Sequence, residues 1–115
     1  MNFHGLWNGQ GKGDTKDRLR QSRKIVDFVE SLDHPHLLVG DFNLNPDSQS
    51  FRILNEAIPR DLIREFSVLS TRSRLYTKPD RFADYILASE GVRVSSFDTL
   101  PDEVSDHLAL RLIFD

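Results

Sequence analysis

The chain has 115 residues, 38% of them hydrophobic and 29% charged, a composition typical of one globular domain or part of one and not of a disordered chain. Its 15 basic and 18 acidic residues leave a net charge of −3, which excludes a strongly basic nucleic-acid binder. The sequence has no cysteine, which excludes disulfide scaffolds, thiolate zinc sites and cysteine nucleophiles.

The first part of the chain predicts a loop, a helix and a strand. Glycines are frequent over 5–15, which predicts a flexible loop, and their spacing fits neither common glycine-rich phosphate-binding pattern. Apolar residues at helical spacing predict a helix over 17–32, in which basic residues such as Arg18 form a solvent-exposed face. The apolar run 37–39, which ends at Gly40-Asp41, predicts a buried strand.

The rest of the chain predicts two further helices, a loop and three strands. Asn45-Pro46 predicts a helix start, and Pro59 ends that helix. A short helix follows at 62–66. The polar segment 70–81, with Arg72, Arg74, Tyr76 and Lys78, is either a plain solvated loop or a segment that faces substrate. The predicted strands are 82–88, 92–97 and 108–114.

The strands 82–88 and 108–114 are almost continuously apolar. A strand with one face in water alternates apolar and polar residues, whereas a strand covered on both faces is apolar throughout. The predicted helices can cover one face of the sheet. We therefore expect a second covering layer, from another chain or from sequence N-terminal to Met1.

Polar residues stand at the ends of the apolar strands, where a core needs none. Asp41 after Gly40 is by itself turn chemistry, and a lone His107 at a strand edge is usually structural. Asp84 inside an apolar run is costly unless it is paired, either with Arg81 or with a histidine that it orients. The candidate site residues are His4, Asp41, Asn43, Asp84, Asp106 and His107.

Four short motifs among these residues occur in order, each at the end of a strand. Together they resemble the second half of the endonuclease/exonuclease/phosphatase superfamily, which has the deoxyribonuclease I-like fold. The resemblance is greatest to small bacterial members of unassigned substrate. The motifs are Asn2-Phe3-His4-Gly5, Gly40-Asp41-Phe42-Asn43, Asp84-Tyr85-Ile86 and Ser105-Asp106-His107.

The resemblance implies an α/β fold, the C-terminal half of a four-layer α-β-β-α sandwich, with one mainly antiparallel sheet and helices on one of its faces. It implies that residues 1–115 are the C-terminal portion of a single domain whose N-terminal half is absent. That half carries an asparagine and a metal-binding glutamate that have no counterpart here. We therefore expect the chain alone to bind metal weakly and to be inactive.

The resemblance also implies a function, the metal-dependent hydrolysis of a phosphodiester or phosphomonoester by in-line attack of water. Asp41 and Asp106 would bind the metal, and Asp41 would also help to activate the water. Oxygen ligands without cysteine favour Mg²⁺, then Mn²⁺, over zinc.

The other candidate residues would act on the phosphate. Asn43 and His4 would contact its oxygens, and His107 would be the general base or would stabilise the transition state. Asp84 would orient the imidazole of His107. This role agrees with the argument from the residues alone, in which Asp84 needs a partner.

The implied partners are a phosphate-ester substrate, with nucleic acid as one class, and the missing N-terminal half or a complementary chain. The non-catalytic alternative is a half-domain or a phosphate-binding module that associates through an uncovered sheet face. The start, MNFHGLWNGQ, has no basic segment before an apolar stretch, and no apolar run approaches the roughly 20 residues of a membrane helix. We therefore expect no signal peptide, no membrane span and a cytoplasmic location.

Overall fold

The computed structural model describes all 115 residues, which form three helices and five strands. The predicted mixed α/β fold class is confirmed. None of the three helices combines the length and apolar character needed to cross a membrane. In chain order the elements are α1 (Lys16–Glu30), β1 (Leu37–Asp41), α2 (Gln49–Ala57), β2 (Arg60–Asp61), α3 (Leu62–Glu65), β3 (Asp84–Ala88), β4 (Val94–Thr99) and β5 (Leu110–Phe114).

The strands form two antiparallel sheets, where the sequence predicts one. A three-stranded sheet has the order β1-β3-β2, and β4 pairs with β5 separately. Because β1 and β2 already pair with the two edges of β3, β4 and β5 do not add to β3 and form a separate two-stranded sheet. The N-terminal segment lies beside β1, with a parallel bridge between Asn2 and Val39 and a hydrogen bond from the Gly5 N–H to the Asp41 carbonyl at 2.7 Å.

The predicted start of α2 at Asn45-Pro46 is wrong. The carbonyl of Asn45 accepts a hydrogen bond from the Ser48 N–H at 3.1 Å, so these residues form a turn before the helix. Ser48 is the cap, because its Oγ accepts a hydrogen bond from the Phe51 N–H at 3.1 Å. A serine that accepts from the third residue of a helix satisfies an N–H group that has no partner within the helix. In the sequence prediction Asn45 would have had this role.

The core lies between the three-stranded sheet and the helices. The ring centroid of Phe51 in α2 lies 4.7 Å from that of Tyr85 in β3. Residues 85–88 of β3 are all buried, as the argument from its apolar sequence requires. In β5, however, Ile113 and Phe114 are 54% and 50% exposed, so the second covering layer expected there is not supplied by residues 1–115.

The side chain of Arg18 is fully buried, so its predicted place on a solvent-exposed face is wrong. Its guanidinium donates hydrogen bonds to the carbonyls of Leu6 at 3.1 Å and Gly13 at 2.7 Å, and to Asn8 Oδ1 at 3.4 Å. A glycine-rich loop exposes many backbone carbonyls, and buried ones need donors. Arg18 thus fixes the loop 5–15 against α1, although the glycines predict flexibility.

Asp61, at the end of β2, provides a test of how a buried carboxylate outside the candidate site affects stability. Burial raises the pKa of Asp61, although hydrogen bonds from the N–H groups of Arg64 and Ile63 oppose the rise. A pKa raised in the folded state means that the stabilising contribution is complete below the unfolded value and is lost as the pH rises through the folded value.

Asp61→Asn is therefore expected to be at least as stable as the parent at pH 7, with the difference shrinking toward pH ~4, near the unfolded pKa of an aspartate. Asparagine keeps an oxygen for the Ile63 N–H, which donates to Asp61 Oδ1 at 3.0 Å. Urea unfolding at the two pH values measures the effect. A variant clearly less stable at pH 7 than at pH 4, relative to the parent, would contradict it.

Candidate active site

Two of the candidate aspartates face each other in neighbouring strands. Asp41 and Asp84 are direct partners in the antiparallel register of β1 and β3, so their side chains project from the same face of the sheet. This face is opposite the one that carries Tyr85 and Leu87, because side chains alternate along a strand. Fold geometry alone therefore brings these two carboxylates together.

A short segment joins His107 to this pair. Arg72 and His107 form an isolated antiparallel bridge, and the Leu108 N–H donates to the Thr71 carbonyl at 2.9 Å. Thr71 Oγ1 accepts hydrogen bonds from the N–H groups of Ala83 at 3.1 Å and Asp84 at 3.3 Å. The buried segment 71–73 is thus hydrogen-bonded both to the start of β3 and to residues 106–108, and it places His107 beside Asp84.

The imidazole of His107 lies between a carboxylate and a guanidinium. Its Nδ1 is 2.7 Å from Asp84 Oδ2, and its Nε2 is 2.6 Å from Arg72 Nη1. A guanidinium only donates, so Nε2 must be the acceptor, and the ring proton is on Nδ1, from which it donates to Asp84. The lone pair of the ring is therefore on Nε2, where it accepts from Arg72.

The partner of Asp84 is His107. The sequence also left open an ion pair between Asp84 and Arg81, which the structure does not contain. Arg81 donates to the carbonyls of Arg72 at 2.9 Å and Ser73 at 3.2 Å instead. Burial raises the pKa of Asp84, the hydrogen bond from His107 lowers it, and the facing carboxylate of Asp41 raises it again. The net direction is upward.

Asp41 and Asn43 form a tight turn that continues to the N-terminal segment. Asp41 Oδ1 accepts a hydrogen bond from the Asn43 N–H at 2.9 Å, and Asn43 has a left-handed backbone with φ of 52°. The Asn43 amide donates to the Gly5 carbonyl at 3.0 Å. This contact places His4, which is largely exposed, with its Nε2 3.7 Å from Asp41 Oδ2.

Most of the candidate side chains line one cavity of about 270 Å³. Asp84 lies behind it, in contact with the far side of the His107 ring. The structure thus brings all six sequence-predicted residues to one rim of the sheet, while their chemical roles remain predictions. The cavity is lined by His4, Trp7, Lys12, Asp41, Asn43, Arg72, Tyr76, Lys78, Asp106 and His107.

The residues at this rim fit a divalent cation in part. Asp41, Asp84 and His107 each bring a donor atom within 4.8 Å of the others. Asp84 Oδ2 and His107 bond to each other, whereas Asp41 Oδ2 accepts no hydrogen bond and is free to bind a cation. Mg²⁺ is commonly held by one or two carboxylates together with water and substrate oxygens. The carboxylate of Asp41 can supply the first of these ligands. Asp106, the second predicted ligand, lies outside this group, with its carboxylate 3.3 Å from Arg72.

Sequence reasoning missed Lys12 as a cavity residue and left the segment that contains Tyr76 open. Lys12 lies in the glycine-rich loop, which was predicted to be a flexible loop and nothing more, and yet its side chain is buried. Tyr76 lies in the segment 70–81, for which a solvated loop and a substrate-facing segment were both open. Arg72, Tyr76 and Lys78 line the cavity, while the side chain of Arg74 points to solvent. The position of Lys12 between two glycines is the one sequence feature that could have indicated a phosphate-binding loop, and it is a weak indication.

Comparisons with known proteins assign the chain to a family. A profile of the Endonuclease/Exonuclease/phosphatase family matches residues 6–107, which is most of the sequence. The chain belongs to the Endonuclease/Exonuclease/phosphatase family. The resemblance carried by the four motifs is thereby confirmed. No curated protein sequence matches the chain significantly.

Solved structures of the Endonuclease/Exonuclease/phosphatase family have the same fold. A mannosyl-6-phosphatase of Bacteroides thetaiotaomicron is similar over 99% of this chain, with 18% identity and a TM-score of 0.71. The catalytic domain of human Nocturnin with a bound sulfate anion is similar over 90% of it, with 23% identity and a TM-score of 0.66. The chain covers 49% and 44% of these structures, so it spans about half of their length.

Proposed function

We propose that this chain carries half of the active site of a metal-dependent phosphoric ester hydrolase that cleaves a phosphodiester or phosphomonoester. The observation that carries the proposal is the chain of contacts from Asp84 to His107, whose lone pair faces a cavity that Asp41 also lines. Family membership supports phosphoesterase or nuclease chemistry at a coarse level. The compared structures include a phosphatase and a domain that binds sulfate, an oxyanion shaped like phosphate.

In this proposal His107 is the proton acceptor. Its Nε2 lies 3.8 Å from Asp41 Oδ2, and both atoms are acceptors that face the same cavity. Once Arg72 has released Nε2, a water molecule that enters there donates to both acceptors, which orients it and increases its nucleophilicity toward phosphorus. Asp84 keeps the ring proton on Nδ1 and stabilises the imidazolium that forms when Nε2 takes the proton.

Other residues hold the phosphate and the metal. Asn43 is fixed beside Asp41 by the turn, His4 is largely exposed, and both line the cavity, where they would contact phosphate oxygens. Asp41, with Asp106 as the second predicted ligand, would hold Mg²⁺ or Mn²⁺. When bound, such an ion neutralises charge on the phosphate and polarises it.

We further propose that residues 1–115 form the C-terminal half of a larger domain. Its extent along the compared structures, about half their length, supports this proposal. The exposed side chains of Ile113 and Phe114 support it too, because a strand of this composition is expected to be covered on both faces. The partner would be the remaining half of the fold, in the same chain or in a complementary one.

The test is hydrolysis of p-nitrophenyl phosphate and bis(p-nitrophenyl) phosphate with Mg²⁺, by the 115-residue chain and by a protein extended upstream of Met1. We expect the extended protein to hydrolyse at least one ester, EDTA to abolish the activity, and the short chain to be inactive. Asp41→Asn is expected to fall to the EDTA baseline. Asp33→Asn, at a fully exposed aspartate far from the cavity, is the matched control.

Two outcomes would count against the proposal. An extended, folded protein that hydrolyses neither ester with Mg²⁺ or Mn²⁺ contradicts the enzymatic function. If the short chain is then dimeric by light scattering, the non-catalytic half-domain is favoured instead. Equal rates for Asp41→Asn and the parent would remove Asp41 from the site.

A further inference from the structure

Two cationic side chains are buried beside the candidate active site. Lys12 is 3% exposed and Arg72 is 6% exposed, although they come from loops far apart in the sequence. They meet at Tyr76: the Lys12 ammonium lies 5.0 Å from the centroid of its ring, and the Arg72 guanidinium carbon lies 4.1 Å from it. Attraction to the aromatic ring stabilises both cations, but a ring carries no net charge.

The two charges are only partly compensated by the rest of the chain, in which the carboxylate of Asp84 also attracts Arg72. The ammonium of Lys12 contacts two neutral oxygens, the Phe82 carbonyl at 3.2 Å and the Tyr76 hydroxyl at 3.5 Å. Arg72 contacts Asp106 at 3.3 Å, but that carboxylate is half-exposed, and the buried Arg72 Nε–H has no acceptor. Burying cations without matching charge and acceptors is unfavourable. An anion that reaches both side chains would supply what is missing.

The cavity that both side chains line leads directly to the candidate catalytic residues. We propose that Lys12 and Arg72 form an oxyanion subsite that receives the non-bridging oxygens of the substrate's phosphate group and holds it against His107. This inference rests on the proposed function and adds two residues to the site. Tyr76 is a positioning residue here, since it acts by holding the two cations in place.

A bound phosphate would compete with His107 for Arg72. In this structure Arg72 Nη1 lies 2.6 Å from His107 Nε2. A phosphate group offers Arg72 stronger, charge-assisted acceptors than an imidazole nitrogen does. Phosphate in the subsite is therefore expected to take over at least part of the donor capacity of Arg72.

The experiment is a titration of the 115-residue chain with inorganic phosphate, followed by ¹H–¹⁵N NMR of the arginine Nε–H signals. The Arg72 signal is expected to shift, because its Nε–H gains an acceptor, and the Arg74 signal is expected to stay in place. Chloride at equal ionic strength separates binding from charge screening. Fluorescence of Trp7, the sole tryptophan and a cavity residue, gives an independent binding curve.

Variants decide between the subsite and a surface effect. Arg72→Gln and Lys12→Gln are each expected to weaken phosphate binding by about 10- to 100-fold, the value of a hydrogen bond to a charged group. Arg74→Gln removes the same charge from an exposed position of the same loop and is expected to change the affinity by less than about two-fold. Arg72→Lys, which keeps the charge but not the fork of donors, is expected to be intermediate.

Unchanged phosphate affinity in a folded Arg72→Gln variant would overturn the subsite, as would an equal loss in Arg74→Gln. If Arg72→Gln does not fold, Lys12→Gln carries the same decision. Because binding is measured without turnover, the two proposals fail separately. Phosphate binding that depends on Arg72 in a protein without hydrolase activity sinks the proposed function alone. Hydrolysis with unaltered KM and kcat in both variants sinks the subsite alone.

Discussion

Replacing His107 with alanine is expected to lower kcat/KM for phosphate-ester hydrolysis by about 10²- to 10⁴-fold, the contribution typical of a positioned general base. The reason is the orientation of its ring: the proton on Nδ1 is held by Asp84 at 2.7 Å, and Nε2 presents its lone pair to the cavity. Alanine removes the proton acceptor and leaves Asp84 without its hydrogen-bond donor. The measurement is the Mg²⁺-dependent rate of the extended protein.

The matched control is His34→Ala. His34 lies in the loop before β1, is 64% exposed and contacts only the neighbouring Asp33 among acidic residues. Its removal is expected to change kcat/KM by less than about two-fold, as for most surface substitutions. A His107→Ala variant that folds like the parent and turns over as fast as it does would show that the role assigned to His107 is wrong.

Gly40→Ala is expected to lower the free energy of unfolding by about 3 kcal/mol or more, since it combines steric overlap with backbone strain. A Cβ at this position would overlap the Phe3 carbonyl oxygen, and the residue has φ of 143°, which residues with a side chain rarely adopt. The N-terminal segment would have to leave β1 and would carry His4 away from Asp41. Urea unfolding measures the effect on stability.

Gly13→Ala is the control for this prediction. A Cβ at Gly13 would meet no heavy atom within 4 Å, and the backbone there has no unusual φ. We expect its free energy of unfolding to stay within about 0.5 kcal/mol of the parent value. Equal unfolding midpoints for Gly40→Ala and Gly13→Ala would contradict the close packing of the N-terminal segment on β1.

The elements that the sequence predicts best are those with a strong periodic signal. Helix α1 and strand β3 are where the apolar spacing places them, and burial of residues 85–88 follows from their unbroken apolar run. The start of α2 was misplaced because Asn45-Pro46 and Ser48 are both plausible caps within one short segment. Local sequence does not say which of two neighbouring caps the tertiary structure uses.

The site was predictable where its residues belong to motifs at strand ends, such as Asp41 and Asp84. Their facing positions follow from strand pairing, which no single motif reveals. Lys12 and Arg18 were misjudged for a different reason. Each is an ordinary basic residue in sequence, and each becomes buried because carbonyls outside its own element accept from it: Phe82 for Lys12, and Leu6 and Gly13 of the preceding loop for Arg18. Such contacts depend on tertiary packing and leave no local pattern.

The two separate sheets could not be predicted from strand composition either. Strand β2 has two residues, too few to give a periodic signal, and yet it occupies the second edge of β3. The half-exposed end of β5 is the converse case, because its apolar sequence predicts a covering layer that residues 1–115 do not provide.

The most direct test of the account is a double-mutant cycle on Asp84 and His107, read as the Mg²⁺-dependent rate of ester hydrolysis by the extended protein. Asp84 is held to act through the imidazole alone, so Asp84→Asn should slow the reaction, and adding it to His107→Ala should cause no further loss. If instead the two losses multiply, or if Asp84→Asn leaves the rate of the parent unchanged, the two side chains do not work as one unit and the proposed site is wrong.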